Sequence, residues 1–161
     1  MLPRDLAEDD PLAGAALLLR ARGLLASGAH ERAASLAATA ARIDGFPSAD
    51  EARLTQAQAL AAGDRWEDAL VVLDASGTPA ASVEAARIAA VHADREGARR
   101  RLVASLLTAP VDGDAGRLLQ AVQDLFPDAS TRFTASERPR LAERASRMLE
   151  DGRAASAIEL L

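Results

Sequence analysis

The chain has 161 residues, a formal net charge of −5, 19 basic residues that are all arginine, no cysteine, and a single tryptophan with three phenylalanines as its aromatic side chains. Without cysteine it forms no disulfide, no thiolate metal site and no thiol nucleophile. Residues 1–80 carry 12 acids and 7 arginines and residues 81–161 carry 12 of each, so neither half is basic enough for a nucleic-acid footprint.

Alanine makes up roughly a quarter of the chain. It is the strongest helix former, because its side chain loses no entropy in a helix. Valine, isoleucine and aromatic residues are too scarce to build a sheet. The N-terminus, MLPRDLAEDDP, is acidic and lacks the positive flank of a secretory signal. No apolar run approaches the roughly 20 residues of a membrane-spanning helix. Residues 1–9 are expected to be a tail and residues 10–161 one helical domain. The helical pattern is still running at Ala157–Leu161, which predicts a segment of a longer protein.

In chain order, Asp10 before Pro11 predicts an N-cap with proline at the first helical position, and a helix to about Ser27 that Gly28 ends. Leu12, Leu17, Leu18, Leu24 and Leu25 form its apolar stripe. A second helix is expected over 30–43, before Gly45-Phe46-Pro47. Ser48 with Glu51 has the form of a capping box opening a third helix to about Ala62. Asp64 with Glu67 has the same form and opens a fourth through Asp74.

Gly77-Thr78-Pro79 is a break, followed by helices over 82–92, 95–108 and, past Pro110 to Gly113, 114–125. Residues 128–135 carry the weakest pattern. Thr134 with Glu137 also resembles a capping box, but would put Pro139 at the fifth helical position, where its ring and missing N–H are damaging. Ser136 as N-cap keeps Pro139 in the first turn, so the next helix is expected from Ser136 to Glu150, with Gly152 starting a last turn and helix.

One phrase recurs: RGLLASGAHERAASLA at 22–37, QALAAGDRWEDALVVL at 58–73 and RMLEDGRAASAIELL at 147–161. Each copy is an apolar helix end, a glycine-centred break, and a small residue opening a second helix. This resembles the tetratricopeptide-type repeat. Leu17, Ala21, Leu24, Gly28, Ala33 and Ala37 carry the likeness in the first copy. Ala57, Leu60, Trp66, Ala69 and Leu73 carry it in the second, and Leu141, Ala145, Met148, Gly152, Ala157 and Leu161 in the last.

The copies drift. The interval from Gly63 to Ala69 is one residue longer than that from Gly28 to Ala33. Ala98, with Ala86, Ala89 and Leu102, marks a further copy whose turn, Ala93-Asp94-Arg95-Glu96, has no glycine. The resemblance implies an all-α fold of about eight or nine helices, with antiparallel helical hairpins stacked into a TPR-like right-handed superhelix, an α-solenoid.

Over residues 98–161 the order of features is similar to the superhelical region of soluble lytic transglycosylases. An Arg-rich helix ends in Leu106-Leu107, a proline-bounded helix ends in LFPDAS, and a hairpin reads SERPRLAERASRMLEDGRAASAIELL. In that family the helical region lies ahead of a lysozyme-like catalytic domain. The catalytic domain's own Glu-Ser signature is absent here, so the resemblance implies the non-catalytic part, positioning peptidoglycan strands for an adjoining domain.

Candidate chemistry is sparse. His30 and His92 have no His or carboxylate partner at metal-ligand spacing and read as turn or surface histidines. Paired carboxylates such as Asp9-Asp10 and Glu67-Asp68 are better explained as charges favouring helix N-termini than as a glycosidase pair. Trp66 stands at the turn aromatic of the repeat and is expected to pack between hairpins. Arg95, Arg99, Arg100 and Arg101 fan around a helix too widely to face one phosphate, which points to solvated positions or ion pairs.

The expected binding surface is a concave groove lined by Arg22, Glu51, Gln58, Arg87, Ser146 and Glu150, with Leu18, Leu54 and Val91 among them. No phosphate loop or nucleophile elbow is present, and neither enzyme activity nor a cofactor or metal is expected. The expected partners are a protein or peptide, or peptidoglycan through an adjoining domain. A free-standing adaptor binding a peptide in its groove is the alternative, and a regulatory domain of a transcription or signalling protein a third. The location would be periplasmic or extracytoplasmic under the transglycosylase resemblance and cytoplasmic otherwise.

Overall fold

The computed structural model describes residues 11–109, 113–128, 132–150 and 152, and among these every regular element is an α-helix. They are α1 (Pro11–Ala26), α2 (His30–Ala41), α3 (Ala49–Ala62), α4 (Trp66–Ser76), α5 (Pro79–Val91), α6 (Arg95–Thr108), α7 (Gly113–Leu125) and α8 (Arg138–Glu150). The all-α expectation stands. The helix expected after Gly152 and the cap at Asp10 lie outside the described residues. The chain divides into two compact units, residues 1–81 and 82–161.

In the first unit α1 packs on α2, α2 on α3 and α3 on α4, and α1 also reaches α3. The core is made of small residues. Ala21, Ala33, Ala37, Ala40, Ala52, Ala57 and Ala69 are fully buried, so helix axes approach without large side chains between them. Leu18, Ala40, Phe46 and Ala52 form one cluster that joins α1, α2, the α2–α3 loop and α3. Phe46 lies so close to α1 that a Cβ on Gly14 would come 2.7 Å from its ring. In the second unit α7 and α8 both pack on α6, around buried Leu102, Leu106, Leu118, Val122, Leu141 and Met148.

One turn geometry joins α1 to α2, α3 to α4 and α5 to α6. Its left-handed residue is Gly28 (φ +80°), Asp64 (φ +60°) or Ala93 (φ +65°). In each turn that residue's N–H donates three residues back, to Leu25, Ala61 or Ala90 (3.1–3.2 Å). The following N–H donates five back, to Leu24, Leu60 or Ala89 (2.9 Å). This is the Schellman arrangement, which satisfies the last carbonyls of a helix. Gly152 (φ +76°) makes the first of the two bonds, to Leu149.

The spacing anomaly in the second copy therefore disappears. The left-handed residue is Asp64, not Gly63, and the alanine five positions on is fully buried in every described case: Ala33, Ala69 and Ala98. Seven positions before the left-handed residue stand Ala21, Ala57, Ala86 and Ala145, each with no exposed surface.

Several helix starts differ from expectation. Asp64 is the last residue of one turn rather than a cap. Arg65 takes the cap position of α4 and pairs with Asp68 instead. Ser48 precedes α3 but accepts no backbone N–H, because its ψ of 30° is wrong for capping and Glu51 is engaged by Arg22. The helix α5 starts at Pro79, three residues early. Thr78 Oγ1 accepts the Ala81 N–H (3.2 Å), so the apparent break is a cap followed by proline at the first position. Ahead of α8 it is Thr134, not Ser136, whose N–H donates to the Glu137 carboxylate (2.8 Å), while Pro139 does fall in the first turn.

Candidate functional site

The six expected groove residues divide between the two units: Arg22, Glu51 and Gln58 in the first, Arg87, Ser146 and Glu150 in the second. Arg22, Gln58, Arg87 and Ser146 each stand six residues before a left-handed turn residue. They therefore sit one residue along from a fully buried alanine, and turn away from the hairpin seam. Arg22, Arg87 and Ser146 are exposed and Gln58 is half-buried.

The structure brings one pair of the six together. Arg22 Nη2 lies 2.9 Å from Glu51 Oε1, bridging α1 and α3, with about half of each side chain in solvent. Ser146 Oγ donates back to the Ala142 carbonyl (3.0 Å) and Glu150 is exposed at the end of α8. Leu18, expected among the groove residues, belongs to the core at 4% exposure, whereas Val91 is 81% exposed.

The fold also forms a cleft of about 280 Å³ at the turn end of the first unit. His30, Glu31 and Arg65 line it beside Ala34, Ala59 and Leu60. Sequence reasoning treated His30 as an isolated turn residue. Gly63 was the available signal: a Cβ there would lie 3.4 Å from His30 Cβ, at van der Waals contact, so the two turns meet at this point. On α1, Leu12 and Leu19 are about 70% exposed on one face, and a Cβ on Gly23 would meet nothing within 4 Å.

The basic cluster on α6 turns out to be largely used within the second unit. Arg95 lies 5.6 Å over the Phe126 ring and donates to the Leu125 carbonyl (3.3 Å). Arg101 is 3.8 Å from Asp94, which also caps α6 by accepting the Gly97 N–H. Arg99 is buried. Its Nε and Nη2 donate to both oxygens of Glu96 (3.0 and 2.7 Å) and its Nη1 to Glu137 (2.5 Å).

The hydrogen bond from Arg99 holds the Glu96 carboxyl below its ordinary value, and that bond in turn raises Arg99. Burial works against ionisation of Glu137, but bonds from Thr134 and Arg99 outweigh it and leave the carboxyl lowered. Arg144 is lowered by burial. It donates to the Leu107 and Ala109 carbonyls that end α6.

Among the described residues no three His, Asp or Glu side chains converge as a metal site, and no helix is long and apolar enough to cross a membrane. Comparison of the chain with protein families, with curated proteins and with solved structures finds no match.

Proposed function

We propose that this chain is a non-catalytic scaffold of helical hairpins that holds a protein or peptide partner on the polar side of its first helices. The observation that carries the reading is the shared register of Arg22, Gln58, Arg87 and Ser146. Four helices offer a polar side chain from the same position, beside an alanine buried completely. The Arg22–Glu51 bridge keeps charge at that surface without burying it. Such a surface suits polar peptide contacts and offers no reacting pair of groups.

A photocrosslinking residue placed in turn at Arg22 and Gln58, both in the first unit, tests this directly. A common partner captured from these positions, and not from exposed Glu67 on α4, is the expected result. Equal capture from Glu67 removes the reading.

The lytic transglycosylase version of the same scaffold rests on the order of features over residues 98–161. Under it, the purified chain joined to its adjoining domain co-sediments with peptidoglycan, and the chain alone shapes which strand lengths are cut. Under the adaptor version it ignores peptidoglycan and retains the peptide.

A further inference from the structure

Six residues beyond each left-handed turn residue, the second helix of the hairpin buries a side chain. In α2 it is Ala34 (7% exposed) and in α4 it is Leu70 (6%), but in α6 it is Arg99 (6%). A guanidinium thus fills a slot that the other hairpins give to apolar groups. It is tolerated because carboxylates meet it on two sides: Glu96 on its own helix, and Glu137 from the turn that opens α8. The Glu137 oxygen that receives Arg99 also accepts the Thr134 N–H (2.8 Å), so one oxygen closes that turn and fastens it to α6.

A well-packed apolar residue is often at least as stabilising as a buried ion pair, while removing one partner alone leaves a buried charge. The polar solution differs in one respect: it can be undone by neutralising a single group. We propose that Arg99 and Glu137 form a latch that holds the 134–137 turn and α8 against α6, and that neutralising Glu137 releases this segment while α1–α4 stay folded. The charged groups acting on the latch are Glu96 and Arg100 of α6 and Glu137 itself, and α7 contributes none among the described residues. A second fastening within α8, Arg144 to the Leu107 and Ala109 carbonyls, does not depend on Glu137, so release loosens α8 from its N-terminal end and does not detach it from α6.

Amide hydrogen exchange on the full chain, corrected for intrinsic rates, tests the latch at neutral pH and at a pH well below the ordinary carboxylate range, where the lowered Glu137 carboxyl takes up its proton. Glu137→Gln should speed exchange over 134–150 by roughly tenfold or more at neutral pH and leave α1–α4 unchanged. The unaltered chain should show the same local change on acidification. Arg99→Leu, which copies Leu70, should stay folded and lose the acid response of 134–150. Unchanged exchange in Glu137→Gln, loosening of α1–α4 together with α8, or an acid response that persists in Arg99→Leu would each overturn the proposal.

Discussion

The two units end their helices by different means. In the first, α1, α3 and α4 stop at left-handed residues, Gly28, Asp64 and Gly77. At Gly28 and Asp64 the last carbonyls are met by the backbone just beyond. In the second, α5 and α8 are also followed by left-handed residues, Ala93 and Gly152, but at the ends of α6 and α7 arginine side chains take over. Arg144 reaches the Leu107 and Ala109 carbonyls at the end of α6. Arg95 and Arg132 reach Leu125, Phe126 and Pro127 at the end of α7. A backbone turn is local and says nothing about neighbours. A guanidinium arriving from another segment caps a helix and fixes its partner in the same contact. The difference accounts for much of the excess of arginine in the second half: these cations are structural ties.

The strongest way to break this comparison is Arg144→Ala. It strips two carbonyls of a charged donor at once and should cost about 3 kcal/mol, read by denaturant unfolding. The half-exposed Arg22 of the first unit should cost under about 0.5 kcal/mol when changed to alanine. Equal losses would mean that the arginine ties are decorative. Next in size, Ala57→Leu and Ala145→Leu should each overpack a seam that has no exposed surface, at about 1–3 kcal/mol. Unchanged melting of both variants would show that the units do not share close helix pairing. Smallest, Ala93→Gly should stabilise by about 1 kcal/mol, by relieving a left-handed alanine. Gly28→Ala should lose a similar amount. If both shifts had the same sign, the two turns would not be equivalent.

Much of this fold was legible. The bounds of α6 were read without error, and those of α1, α2, α3 and α7 to within two residues, because small and apolar residues recur at helical spacing. What escaped the sequence was conformation that several residue types can adopt. Asp64 and Ala93 take the left-handed place that pattern reading reserves for glycine, which made one repeat look stretched and another look incomplete. The start of α5 was hidden because Thr78-Pro79 serves equally as a loop and as a cap. At the candidate site, the exposure of Arg22, Arg87 and Ser146 followed from register. The Arg22–Glu51 pair, the cleft beside His30 and the burial of Arg99 depend on segments distant in sequence, which no local pattern encodes.

The ring of Phe46 rests on α1 where Gly14 removes the side chain that would hold it off. It thereby brings a connecting loop into the same cluster as Leu18, Ala40 and Ala52. Stacked hairpins that touch only their neighbours can fray from an end, one module at a time. Here a wedge between the first rod and the second connector ties α1, α2 and α3 into a single cooperative block. Heat or denaturant should dissolve that block in one step, leaving no stable two-helix remnant behind.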